Sequence, residues 1–456
     1  MDQTERLGTE KVSKLLWSFS VPAIVGMLVS ALYNVIDRAF IGHSAGSLGI
    51  AGITVGFPIM LIQIAFGMLI GMGATALVSI RLGEQRKDEA ERIMGNAVVL
   101  FAIATVAITA SGLIFMDPLL KLFGASKEVL PYARDYMSII LYGSIFQTFS
   151  FGMNNFIRAE GKPAIAMATM LISAVLNAIL APIFIFVFGW GMKGAAGATV
   201  LSQAVSAVWI ISHFIRGKST LKIRAEYFPL RKDIVEGIMA IGVAPFAMQL
   251  AQSFLSVIMN TSLLKYGGDV AISGMGIVMS LMTLILMPII GINQGAQPII
   301  GYNYGAQKFD RVKQVLKYAI LAATAIATVG YIGVRFFPTQ LVMIFENSDH
   351  HLLAFGSRAL TVFLFFLPIV GFQIIGSGYF QAVGKAKLAM FLTLSRQLLV
   401  LVPALLILPH FFKLQGVLEA GPLSDLVSSI LTGWWLFMEL KHLQRRHEDG
   451  LDAEPA

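Results

Sequence analysis

Predominantly apolar runs of about 20 residues or more, separated by short charged stretches, recur along the chain at roughly 15–40, 50–80, 93–115, 132–157, 164–188, 194–215, 234–264, 270–301, 314–336, 353–382, 388–409 and 415–439. Each run is long enough to cross a hydrocarbon core as a helix. A helix satisfies its own backbone hydrogen bonds there, whereas a sheet edge does not. The short alternating segments of a membrane β-barrel are missing from the pattern. It therefore predicts an all-α polytopic membrane protein with 12 transmembrane helices.

The polar breaks carry a second signal, because every second one is basic: "RLGEQRKDEAER", "RAEGK", "RGKSTLKIRAEYFPLRK", "QKFDRVKQVLK", "GKAK" and "KHLQRR". With Arg6, Lys11 and Lys14 they hold 24 of the 34 Lys and Arg. The positive-inside rule then puts both termini in the cytoplasm of a cell that carries the protein in its inner or plasma membrane. Residues Met1 to Lys14 read as an amphipathic lead-in that stays on the chain.

The chain also repeats. "RLGEQRKDEAERIMGNA" aligns with "NYGAQKFDRVKQVLKYA", placing Gly83 on Gly305, Gln85 on Gln307, Asp88 on Asp310 and Ala97 on Ala319 at an offset of 222. "FIRAEGKPAIAM" pairs with "YFQAVGKAKLAM" at 223, and "KGAAGATVLSQ" pairs with "QGVLEAGPLSD" at 222. Each unit holds six helices. Six is even, so both halves enter from the same side and are related by a pseudo-two-fold along the membrane normal. The expected organisation is a cytoplasmic segment 1–14, an N-lobe 15–215, a linker 216–233, a C-lobe 234–440 and a cytoplasmic tail 441–456. Two such bundles around a cleft suit alternating access. No GxxxxGK[ST] loop is present, so uphill transport would draw on an ion gradient.

Composition sharpens this picture. Of the 456 residues 56% are hydrophobic and 13% charged, and mean hydropathy is +0.76, outside the range of soluble globular chains. The net charge of +8 is an orientation signal that also favours contact with anionic membrane lipids. No folded domain offers a basic face, so no nucleic-acid partner is expected. With no cysteine, thiol chemistry is excluded. Neither enzymatic activity nor a metal or cofactor is expected, and the chain is expected to act as a monomer.

Candidate chemistry lies in the polar residues inside the spans. Asp37 is the one acid well inside the spans of the first half. Ionised and unpaired it would cost about 2.5–3.5 kcal/mol on the insertion scale, so it must pair, face water or bind a proton. Arg38 points about 100° away around the helix and is better placed to reach the headgroups. Tyr33 and Asn34 share a face with Asp37. Asn177 in span five, with Thr199, Ser202 and Gln203 in span six, would extend a polar chamber if they converged; each reads alternatively as a helix-packing hydrogen bond. The second half has Met259 at the repeat equivalent of Asp37. There Asp425 reads equally as a second titrating site or as a packing group beside Gly421 and Pro422. Arg396 asks for a carboxylate such as Asp425 or for a wet cleft. Pro22 removes a backbone hydrogen bond from the first span, and reads as a hinge or a fixed kink. The 32 Phe and 22 Met would line a cleft suited to varied apolar ligands.

The motifs "ALYNVIDRAFIG", "GINQGAQPIIGYNYGAQ" and "RAEGKP" with its partner "QAVGKA" resemble the multidrug and toxic compound extrusion family, and within it the DinF and MepA-like branch. The resemblance covers about residues 10–440. It implies secondary active efflux of lipophilic, often cationic drugs in exchange for H+ or Na+. It also implies that Asp37 is the N-lobe coupling carboxylate, with Tyr33, Asn154, Asn177 and Thr199 around it, and that Pro22 is the bending proline. One departure matters: where relatives read N-x-x-x-D-P in span five, this chain has Asn177, Ala181 and Pro182. A second carboxylate is missing, and Ser253 stands near the glutamate expected in span seven. Sodium wants several hard oxygens, while a proton needs one acid. Proton coupling at Asp37 is therefore expected. A flippase or exporter of an amphipathic or lipid-linked metabolite, and an uncoupled channel-like protein, are the competing readings.

Overall fold

The computed structural model describes residues 6–123, 125, 127–216, 219–344 and 350–448. The side chains of 30–39, 42–48, 50, 51, 54, 216, 253, 257, 264, 269, 272, 273 and 442–448 stand outside that description. Among the described residues every regular element is helical.

The spans follow the hydropathy pattern. Among the described residues nine helices are long and apolar enough to cross a membrane, including Val12–Val29, Val55–Gly83, Lys87–Ile114, Pro163–Val187 and Gly191–Ile215 in the first half. The second half contributes Lys232–Leu263, Gly274–Gly305, Phe309–Phe336 and Ala386–Lys441. The last contains two spans, because Lys413 (φ 50, ψ −130) breaks the helix. Gly268 (φ 66, ψ −164) makes the corresponding break after span seven, in a left-handed conformation that glycine adopts without Cβ strain. Spans four and ten are each built from two shorter helices. Leu130–Tyr142 and Ser144–Ala159 meet at Gly143, and His350–Phe363 and Leu367–Ala382 meet at a 50° bend. The twelve spans form two six-helix bundles.

The repeat persists in the backbone. Gln85 (φ 62) and Gln307 (φ 56) lie 222 residues apart, and Gly161 (φ 89) and Gly384 (φ 77) lie 223 apart. Each follows a helix end closed by a bond spanning five residues: Arg86 N–H to Arg81 O at 2.9 Å, Lys308 to Asn303 at 2.8 Å, Lys162 to Ile157 at 3.1 Å and Lys385 to Phe380 at 2.9 Å. These are Schellman-type caps, which need a left-handed residue at that point.

The halves meet at the ends that carry the basic loops. A Cβ on Gly83 would stand 2.0 Å from Tyr302 O, and one on Gly305 would stand 2.2 Å from Ile80 O. The two contacts are repeat images, since Ile80 and Tyr302 are themselves 222 apart. Deeper in, a Cβ on Gly242 would lie 1.7 Å from Leu69 O. Only glycine lets the backbones approach so closely, as small-residue contacts do generally between membrane helices.

Two polar straps reinforce this face. The segment before span one docks under the second half: Leu7 O accepts from Asn303 Nδ2 (2.9 Å) and Arg311 Nη2 (3.1 Å), and Glu10 O accepts from Arg311 Nη2 (2.7 Å). The segment before span seven docks under the first half. Asn96 accepts from Arg231 N–H (2.8 Å) and donates to Tyr227 O (3.0 Å). Glu160, fully buried, accepts from Ser219 Oγ (2.5 Å) and Thr220 N–H (3.0 Å) and meets His213 at 2.5 Å. Large apolar side chains such as Val106, Trp434 and Phe437 stay exposed, as expected where lipid is the solvent.

Candidate functional site

In the first half, spans five and six bring two of the expected polar residues together. Asn177 Nδ2 donates to Thr199 Oγ1 at 3.0 Å, and Thr199 donates in turn to Ala195 O at 3.1 Å. Both side chains are buried, at 3% and 2% exposure. The pair is neutral, and Ala181, one turn beyond Asn177, is fully buried. The side chains of Tyr33, Asn34, Asp37 and Ser253 lie outside those described.

The other members of the expected network are engaged elsewhere. Asn154 donates to Ala166 O (2.7 Å) and to Thr169 Oγ1. Ala166 is eleven residues before Asn177 on the same helix, about 16 Å along its axis. Ser202 bonds back to Ala198 O (2.7 Å) in its own turn. Gln203 is half-buried, and its carbonyl accepts from Ser150 at 3.4 Å. Pro22 lies inside the first helix. One turn on, Gly26 faces Met170 of span five so closely that a Cβ there would stand 2.6 Å from the sulfur.

The second half holds an ion pair. Arg396 Nε donates to Asp425 Oδ1 at 2.7 Å, with Asp425 5% exposed. Arg396 sits in a π-helical turn, Ser395–Leu401, the kind of insertion that shifts side chains around a helix axis. Its carbonyl accepts from Ser424 Oγ (2.5 Å), and the neighbouring Gln397 donates to Gln252 Oε1 (2.8 Å). Of the two partners that the sequence left open for Arg396, the structure places the carboxylate beside it. The pair ties spans eleven and twelve together.

Between the halves a cavity is lined by Met72, Thr75, Phe151, Arg158, Gln294 and Pro298, among others. Arg158, 5% exposed, donates through Nη1 to Gln294 Oε1 across the seam (2.7 Å) and to Asn155 Oδ1 (3.0 Å). It has no carboxylate partner among the described residues. Neither this arginine nor the buried Glu160 was singled out from the sequence, where both fell in a stretch read as a basic loop, a repeat anchor and a family motif. No group of three or more His, Cys, Asp or Glu side chains suited to a metal ion occurs among the described residues.

Two six-helix bundles that meet in a glycine-lined seam and keep polar groups inside each bundle define a polytopic membrane transporter of the two-lobe class. The sequence profile of the MatE family matches residues 22–183 and 245–406, two segments 223 residues apart. The chain belongs to that family, the one its motifs resemble. Among relatives, the multidrug export protein MepA of Staphylococcus haemolyticus is 29% identical over 92% of both chains. Among solved structures, the multidrug transporter DinF-BH in complex with R6G is 38% identical, with a TM-score of 0.89 over 96% of this chain and 98% of that one. A MOP superfamily transporter from Pyrococcus furiosus is 26% identical, with a TM-score of 0.90 over 96% and 98%.

Proposed function

We propose that the protein is a proton-coupled antiporter that exports lipophilic or cationic drug-like molecules by alternating access, with Asp37 as the group that carries the proton. The reading takes the cell membrane as its site, places both termini and the basic loops in the cytoplasm, and treats residues 15–215 and 234–440 as lobes rocking about the seam with Pro22 as hinge. Family membership and the names of the relatives support export of drugs.

The observation that carries the choice of ion is the neutral Asn177–Thr199 pair with Ala181 buried beside it. The first half supplies no second carboxylate well inside its spans: Asp135, near the start of span four, is half-exposed and faces Lys193 at 3.5 Å, so a sodium ion would lack the charged oxygens it favours. A proton needs only Asp37. Its driving force is adequate: a charge crossing 100 mV releases about 2.3 kcal/mol, and each pH unit adds about 1.4 kcal/mol.

The test is ethidium-driven proton movement in proteoliposomes at fixed sodium, comparing wild type with Asp37→Asn. Wild type is expected to move protons against ethidium, and the variant to lose this coupling at least tenfold. Unchanged coupling in the variant, or export that follows sodium at clamped pH, would overturn the reading.

A further inference from the structure

Arg158 is a buried cation with no counter-charge among the described residues. Its recorded acceptors are the neutral Asn155 Oδ1 and Gln294 Oε1 and the thioether sulfur of Met170 at 3.5 Å. A thioether is a weak acceptor. Guanidinium carries five N–H donors and prefers the paired oxygens of a carboxylate or phosphate, so this set under-serves it. In the same cavity the hydroxyl of Thr75, 8% exposed, has no hydrogen-bond partner. The cation is one-sided: its repeat equivalent, 223 residues on, is the neutral Gln381, which accepts from Gln297 at 3.3 Å.

Two of these facts point outward rather than to a structural tie. The nearest carboxylate in sequence, Glu160, is taken up by His213, Lys162, Ser219 and Thr220. The acceptor that holds Arg158 across the seam, Gln294, belongs to the other half. Separation of the halves at the basic-loop face would take Gln294 away from the guanidinium and leave it facing the cavity. Met72, Phe151 and Pro298 then supply an apolar wall beside it.

We infer that Arg158 is an oxyanion-binding site at the basic-loop end of the cleft, taking the carboxylate or phosphate of an amphipathic molecule, with Gln294 as the acceptor that replaces it when the seam closes. The inference rests on the alternating-access reading above. It adds zwitterionic and anionic amphiphiles to the cations considered there.

The test is equilibrium binding, which does not depend on coupled transport. Fluorescence anisotropy compares a cationic rhodamine methyl ester with its free carboxylic acid, a pair that differs only in that group, on the full chain in phosphatidylcholine nanodiscs. Wild type is expected to favour the acid about tenfold, Arg158→Gln to bring the ratio to about one, and Arg158→Lys to restore part of it. Gln294→Ala, which removes the competing acceptor, is expected to tighten binding of the acid. If phosphatidylglycerol in the disc displaces the acid, a lipid headgroup shares the site; if it does not, the site serves free substrate. Equal affinity for the two dyes in wild type, or equal loss of both in Arg158→Gln, overturns the inference. Failure of ethidium–proton exchange alone bears on the proposed function and leaves this result standing.

Discussion

The two halves share a backbone plan and solve the problem of polar groups in lipid differently. At the repeat position where the second half has Asp425, the first has Gln203. The second half encloses a charged residue together with its counter-ion, Arg396 to Asp425 at 2.7 Å. Across spans five and six the first half joins neutral groups, Asn177 to Thr199 at 3.0 Å, and it keeps one acid, Asp37, well inside its spans. A carboxylate held by an arginine is committed to structure. The proposed function puts the exchangeable proton on Asp37, in the half whose pair between spans five and six is neutral.

The comparison breaks most visibly at the ion pair. Arg396→Leu strands a buried carboxylate and should cost about 3–5 kcal/mol, whereas Arg396→Leu with Asp425→Leu should come back close to wild type. Melting in detergent reads both; a double variant as unstable as the single would deny that the pair is a closed unit.

A smaller effect should appear at the seam, where the halves are alike. Gly83→Ala and Gly305→Ala each push a methyl group against a carbonyl of the other half. Each should cost about 1–3 kcal/mol, the usual range for overpacking, and raise the reactivity of a cysteine placed at Thr75 toward a water-soluble maleimide. Unequal costs would show that the seam is less symmetric than the glycines suggest.

The neutral pair should matter less to stability. Thr199→Val removes the acceptor of Asn177 and should lower stability by about 1 kcal/mol, far less than loss of Arg396. A cost equal to that of Arg396→Leu would erase the contrast between the halves.

The smallest effect concerns the strap before span one. Hydrogen bonds from Lys14 and Arg6 hold the Glu10 carboxyl below its ordinary value of 4.5. A depressed acid stabilises the fold fully above its unfolded pKa and loses that contribution as pH falls through the folded one. The small difference in melting between wild type and Glu10→Gln should therefore stay constant from neutral pH to about 4.5 and close below it. A difference that grew on acidification would mean that Glu10 is held by some other interaction.

The bundles and their repeat were legible because membrane helices must be apolar throughout and because special backbone positions leave residue signatures. Gly161 and Gly384 are left-handed caps, and Gly83 and Gly305 are contact points where no side chain fits. The site was legible in pieces. Asn177 and Thr199 meet across spans five and six, a convergence that the residues alone left open and the resemblance implied, while Asn154 bonds back toward Ala166, a contact that depends on how two helices rotate against each other. The π-turn at Ser395–Leu401 has no composition signal, so the sequence alone left open whether Arg396 meets Asp425. Arg158 and Glu160 stayed hidden because a basic loop and repeat motif in the sequence does not separate a buried cation and a buried acid from exposed ones.

The most direct measurement is proton release from the detergent-solubilised protein when ethidium binds at neutral pH. Wild type and the paired variant Arg396→Leu with Asp425→Leu should each release about one proton per protein, and Asp37→Asn should release none. Release that survives in Asp37→Asn, or that disappears only with the Arg396–Asp425 pair, would contradict the assignment of coupling to the first half.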